Sequence, residues 1–180
     1  DADSDLAAVQ GTVTDSLGAV VDGRGITLDD AALPVQVDRG SSPSPEPARP
    51  RPVVAVSGTA SLYRTRALVE SALADGAILD PLFGSYHEDL DLGLRMRRLG
   101  WKAAWVPGAW ANHEGSATGH GLSWRHPWWV LTNRWRALAG NLTAAAVFTA
   151  LPTLFRGELR AVRTLARTNP RVMPTAAAAL

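Results

Sequence analysis

Tyr86-His87-Glu88-Asp89-Leu90-Asp91-Leu92-Gly93-Leu94-Arg95 carries three carboxylates within four positions, at the start of a stretch with helical spacing. Leu92, Met96 and Leu99 recur at intervals that share one face, and Gly100 supplies the left-handed residue that ends such a helix. The spacing therefore predicts a helix over about 88–99. Asp91 and Arg95 are one turn apart and can pair. Acids at a helix N-terminus meet the positive end of the dipole and free backbone N–H groups, which favour their ionised form. An ionised carboxylate can take a proton, and beside a histidine it can share a divalent metal. His113 follows downstream in Val106-Pro107-Gly108-Ala109-Trp110-Ala111-Asn112-His113-Glu114-Gly115. Together these residues read as a catalytic site rather than a plain surface helix.

Outward from that stretch, Ala7-Ala8-Val9-Gln10-Gly11-Thr12-Val13 reads as a strand, and Gly18, Gly23 and Gly25 punctuate a hairpin-like region behind it. Residues 40–52 hold five prolines and read as an extended loop, after which Val53-Val54-Ala55-Val56 resumes as a buried strand. Residues 64–74 suit a helix with Leu68, Val69, Ala72 and Leu73 as its apolar stripe. Ala103-Ala104-Trp105-Val106 reads as a strand closed by Pro107.

The 180 residues, 46% hydrophobic and 19% charged, are enough for one globular domain with a sizeable core. There is no cysteine, which excludes disulfides and thiolate metal sites and fits a reducing compartment. The first five residues have neither a basic n-region nor an apolar h-region, so a cytoplasmic location is expected. The net charge of +1 hides an asymmetry: residues 121–180 hold eight arginines against Glu158 alone. Such a basic tail suits an anionic membrane surface, a lipid-linked pyrophosphate or a partner domain, or is simply a solvated helix face. Ala137 to Phe155 is apolar but interrupted by Asn141 and Pro152, and reads as helices packed on the domain or lying on a membrane. From Glu158 to Arg171, Leu159, Val162, Leu165 and Ala166 form one side of an interfacial helix. All seven tryptophans lie between Trp101 and Trp135. They read either as core, the reading taken for Trp101 and Trp105, or as a platform for sugar rings or an interfacial belt.

The ordered motifs carry a resemblance. Ser57-Gly58-Thr59-Ala60-Ser61-Leu62-Tyr63-Arg64-Thr65, Leu79-Asp80-Pro81-Leu82-Phe83, Glu88-Asp89-Leu90-Asp91-Leu92 with Arg95, then Gly100-Trp101, Val106-Pro107 and His113 follow the family 2 glycosyltransferases in order and approximate spacing. The match runs over roughly residues 8–135 and resembles the C-terminal half of a GT-A enzyme of the rhamnosyl- or galactofuranosyltransferase type. It implies an α/β fold, a partial GT-A fold with a mixed sheet and C-terminal helices. Residues 1–135 would be the acceptor-side half and 136–180 a basic helical tail.

The resemblance also implies roles. Asp89 would be the general base of an inverting transfer from a nucleotide-sugar donor to a glycan or lipid-linked acceptor, with Glu88 helping to bind acceptor hydroxyls. His113 would complete a Mg²⁺ or Mn²⁺ site with acids of an Asp-x-Asp motif. Ser57, Gly58, Thr59, Asp80 and Asp91 would stand on the substrate side. Each has a plainer reading: a helix cap for Asp89, a structural histidine, a tight strand–helix turn for Ser57–Thr59, a turn cap for Asp80, an Arg95 partner for Asp91. Asp1-Ala2-Asp3-Ser4-Asp5 mimics the metal motif but precedes the first strand directly. The donor-binding half is therefore expected to be missing, and the isolated chain to be inactive. Nucleic acid is not an expected partner, and a peripheral place on the inner face of the cell membrane is. The alternative is a non-catalytic interaction module that keeps the fold. A hydrolase using neighbouring acids is weaker, since acids in one helical turn seldom face each other across a glycosidic bond.

Overall fold

A computed structural model describes residues 4–43, 49–115 and 125–168. The expected mixed α/β architecture is present. β1 (Leu6–Asp15) is the spine of the main sheet. On one side it pairs in parallel with β7 (Lys102–His113); on the other it pairs antiparallel with β2 (Val21–Gly23) and β6 (Ser61–Tyr63). β5 (Arg51–Val53) runs antiparallel along the outer edge of β7. β3 (Ile26–Leu28) and β4 (Pro34–Gln36) form a separate hairpin, tied to the segment after β5 by a bridge between Ile26 and Ala55.

Two strand boundaries differ from the sequence reading. The proline-rich stretch gives way to a strand at Arg51, and Pro52 is tolerated because β5 is an edge strand. Residues 44–48 of that stretch lie outside the described residues. Pro107 does not close β7 either. Gln10 pairs with Trp105 and Thr12 with Trp110, so 106–109 bulge out opposite Gly11 and the strand resumes toward His113. Gly11 is required there, because a Cβ would collide with the Ala109 carbonyl.

α2 (Glu88–Arg98) is the central helix, with bounds close to those expected. Leu90 and Leu94 face a cluster with Phe83, Ala137, Leu138 and Leu154, while Leu92 and Met96 face Ala7, Ala67 and Trp101. Leu99, expected on the apolar face, is exposed at the helix end, and Gly100 takes the left-handed turn at φ +89. α1 (Thr65–Glu70) is shorter than predicted: it ends where the Ser71 hydroxyl bonds the Ala67 carbonyl, and it buries Ala67 against Leu92 and Trp101 while Val69, expected in the apolar stripe, is exposed. Trp101 and Trp105 are core, as read from the sequence. α3 (Arg125–Asn141) and α4 (Ala144–Thr168) cover the far side of α2, and α3 runs unbroken through position 135. Among the described residues no helix is long and apolar enough to cross a membrane.

Candidate functional site

The first turn of α2 opens on a broad cleft of about 1400 Å³, lined among others by Ser57, Gly58, Thr59, Glu88, Asp89 and His113. Backbone geometry sets up the acids. Tyr86 and His87 both hold left-handed φ values, +68 and +69, immediately before Glu88. Such a pair persists only when its surroundings fix it. Asn133 of α3 does so: its buried amide nitrogen donates to the carbonyls of Phe83, Ser85 and Tyr86 at 2.7, 2.9 and 3.0 Å. Arg136 donates in turn to the Asn133 amide oxygen and to Leu82 O.

Two distant motifs meet here. The Gly58 N–H donates to Asp89 Oδ2 at 3.1 Å, and Leu90 N–H donates to Oδ1 at 2.8 Å. The N-cap residue is His87, not Asp89. Ser57 is held from the other side, its N–H donating to Gln10 Oε1 at 2.6 Å, and its hydroxyl bonds the Thr59 hydroxyl. Gly93 makes the approach possible: a Cβ there would strike Ala55. α2 therefore sits directly on the Val54–Ala55 backbone.

Glu88 departs from the expectation that all three acids are simply ionised. Burial pushes its carboxyl above the usual range, and the neighbouring Asp89 charge adds to this against its own backbone hydrogen bond. Its Oε2 is buried without a hydrogen-bond partner among the described residues. Tyr63 shares the cleft, and burial raises its phenol, with Asp89 and Glu88 acting in the same direction.

His113 stands across the cleft. Its Nδ1 lies 2.9 Å from Asp22 Oδ2, and Arg39 reaches the other Asp22 oxygen at 3.3 Å. A carboxylate on one ring nitrogen is the arrangement that orients a metal-binding imidazole. With Asp22 so engaged, His113 Nε2 is the free donor of the pair, and among the described residues no group of three or more His, Cys, Asp or Glu is placed to hold an ion.

Asp91 and Asp80 lie elsewhere. Asp91 is buried, with Oδ2 bonded to Arg95 Nε and Oδ1 to Asn141 Nδ2, each at 2.8 Å. Both oxygens are committed inside the protein, which is the plainer of its two readings. Asp80 caps the 3-10 turn Pro81–Phe83 through Leu82 N–H at 2.8 Å, its plainer reading. Asp5 pairs with Lys102, while Asp1 and Asp3 lie outside the described residues, as do Trp124 and the side chains of His126 and Trp128. The sequence reading missed Gln10, Asp22 and Asn133. A signal existed for one of them: an asparagine inside a helical run needs a reason to be there.

No protein-family model matches this chain, and no curated protein matches it in sequence.

Proposed function

We propose that this chain is the acceptor-side half of an inverting nucleotide-sugar glycosyltransferase with a GT-A fold, and that Asp89 is its general base. The observation that carries this reading is the Gly58–Asp89 hydrogen bond, which joins the two motifs of the resemblance at the cleft rim. Backbone N–H groups on both carboxylate oxygens fix the orientation of Asp89 and leave lone pairs for an acceptor hydroxyl. In the transfer, that hydroxyl gives its proton to Asp89 while its oxygen bonds the anomeric carbon. The bond from that carbon to the diphosphate breaks, the electron pair leaves with the diphosphate, and the configuration inverts. Glu88 stands beside Asp89 on the cleft, where its carboxyl can bond a sugar hydroxyl.

His113, oriented by Asp22, offers its second ring nitrogen to Mg²⁺ or Mn²⁺, with the rest of the shell coming from other donors. Such a cation, when bound, neutralises charge on the departing diphosphate.

The test is a screen of nucleotide sugars against glycan and lipid-linked acceptors with Mn²⁺ or Mg²⁺, run on the gene product that contains this chain. Transfer that Asp89→Asn abolishes supports the reading. Glycan binding without transfer from any donor overturns it in favour of a non-catalytic module.

A further inference from the structure

α4 buries one face and leaves a second without a partner among the described residues. Leu154 and Gly157 are buried, and a Cβ at Gly157 would meet the Ala31 carbonyl. On another face Phe148, Leu151, Phe155 and Leu159 are 76%, 45%, 64% and 41% exposed. Their spacing of three, four and four residues makes one row, roughly 16 Å long at 1.5 Å per residue. Single exposed apolar residues are ordinary, but a continuous row of four large ones marks a surface that something covers.

The charges beside the row select the occupant. Arg156, Arg163 and Arg167 are exposed along one border of the stripe. None of the three has an acidic partner among the described residues, whereas Arg160 is taken by Asp29 and Asp30. The one acid of the helix, Glu158, is turned inward and neutralised by Arg134 at 2.8 Å. A second copy packed on this face would bring its own arginines against the first set, which opposes pairing.

We propose that α4 docks on an anionic lipid bilayer. Phe148, Leu151, Phe155 and Leu159 enter the boundary between headgroups and acyl chains, and the three arginines meet lipid phosphates. The face lies nearer the start of α4 than the sequence placed it: Val162 and Ala166 are half-buried, and the Leu165 side chain is outside the described residues. This inference is independent of the transferase reading.

Flotation with vesicles tests it. The chain should bind phosphatidylcholine vesicles containing roughly a third phosphatidylglycerol, release with added salt, and bind phosphatidylcholine alone weakly. Phe148→Ser with Phe155→Ser should weaken binding by about tenfold or more. Its thermal unfolding should stay unchanged, because both rings face solvent. Arg156→Gln, Arg163→Gln and Arg167→Gln together should remove the preference for the anionic lipid. Absence of binding to anionic vesicles overturns the proposal, as does a dimer that the double serine variant dissociates.

Discussion

The Gly58 N–H and Asp89 Oδ2 lie 3.1 Å apart although 31 residues separate them. The bond is a consequence of packing on both sides. Gly93 lets α2 settle onto the Val54–Ala55 backbone, and Gln10 anchors the neighbouring Ser57 N–H. A loop after one strand and the first turn of a helix are thus held in register at the cleft.

Asp89→Asn in the gene product containing this chain should lower turnover a hundredfold or more, since a general base contributes roughly 10²–10⁴. Donor binding should barely change, because the amide keeps the shape and its oxygen can still accept the Gly58 N–H, although its NH2 then faces the Leu90 N–H and that second bond is lost. Steady-state kinetics with a calorimetric donor titration separates the two. Turnover within about threefold of wild type would sink the assignment of a general base.

Asn133→Ala should destabilise the chain by about 2–4 kcal/mol, because three loop carbonyls and the Arg136 guanidinium lose their shared partner. A lower urea midpoint at unchanged slope is the readout. The loop it holds carries Tyr86 and His87 in left-handed geometry next to the acids. Turnover should therefore fall even where the variant is fully folded. Full turnover in folded Asn133→Ala would separate the loop from the chemistry.

α2 was legible because apolar residues at helical spacing and a terminal glycine both bound it, and local rules fix such elements. Ser57–Thr59 and Asp89 were legible as motifs, though nothing local showed that they touch. The Arg95 pairing of Asp91 was legible from its spacing, but its burial was not, because α2 is read from one stripe. In fact Leu90 and Leu94 pack on one side and Leu92 and Met96 on another, so a residue between them is buried too. A helix packed on two sides buries what lies between its two stripes, whatever the polarity of that residue. Pro107 misled because the strand rule assumes an unbroken ladder, and here a bulge carries the proline past Gly11. Asp22 and Gln10 lay beyond reach: their partners are 91 and 47 residues away, brought close by sheet register for His113 and by the loop after β5 for Ser57.

His113→Ala should raise the divalent metal concentration needed for half activity, and Asp22→Asn should shift it the same way by about 10–100-fold. The second variant keeps the imidazole and removes only the carboxylate that orients it. A metal titration unaltered in both variants would show that the pair is structural.

Asp38 gives the chain an acid-labile anchor. Its Oδ2 accepts from Arg51 at 2.7 Å and from the buried Arg24 at 3.0 Å. Both guanidinium groups lie over the Trp105 ring, at 4.7 and 5.5 Å from its centroid. The hydrogen bond from Arg51, helped by Arg24, holds the Asp38 carboxyl below its usual range despite partial burial. A carboxyl with a lower pKa folded than unfolded contributes stability above the unfolded value, near 4, and loses it as pH falls through the folded value. Asp38→Asn should therefore cost about 1–3 kcal/mol at neutral pH, because Arg24 keeps a buried charge without its carboxylate. The gap between wild type and variant should close as pH falls below the unfolded value and on through the folded one, where wild-type Asp38 is protonated as well. Urea midpoints across that range are the measurement. A gap of constant size would mean that packing on Trp105, rather than the Asp38 charge, holds the two arginines.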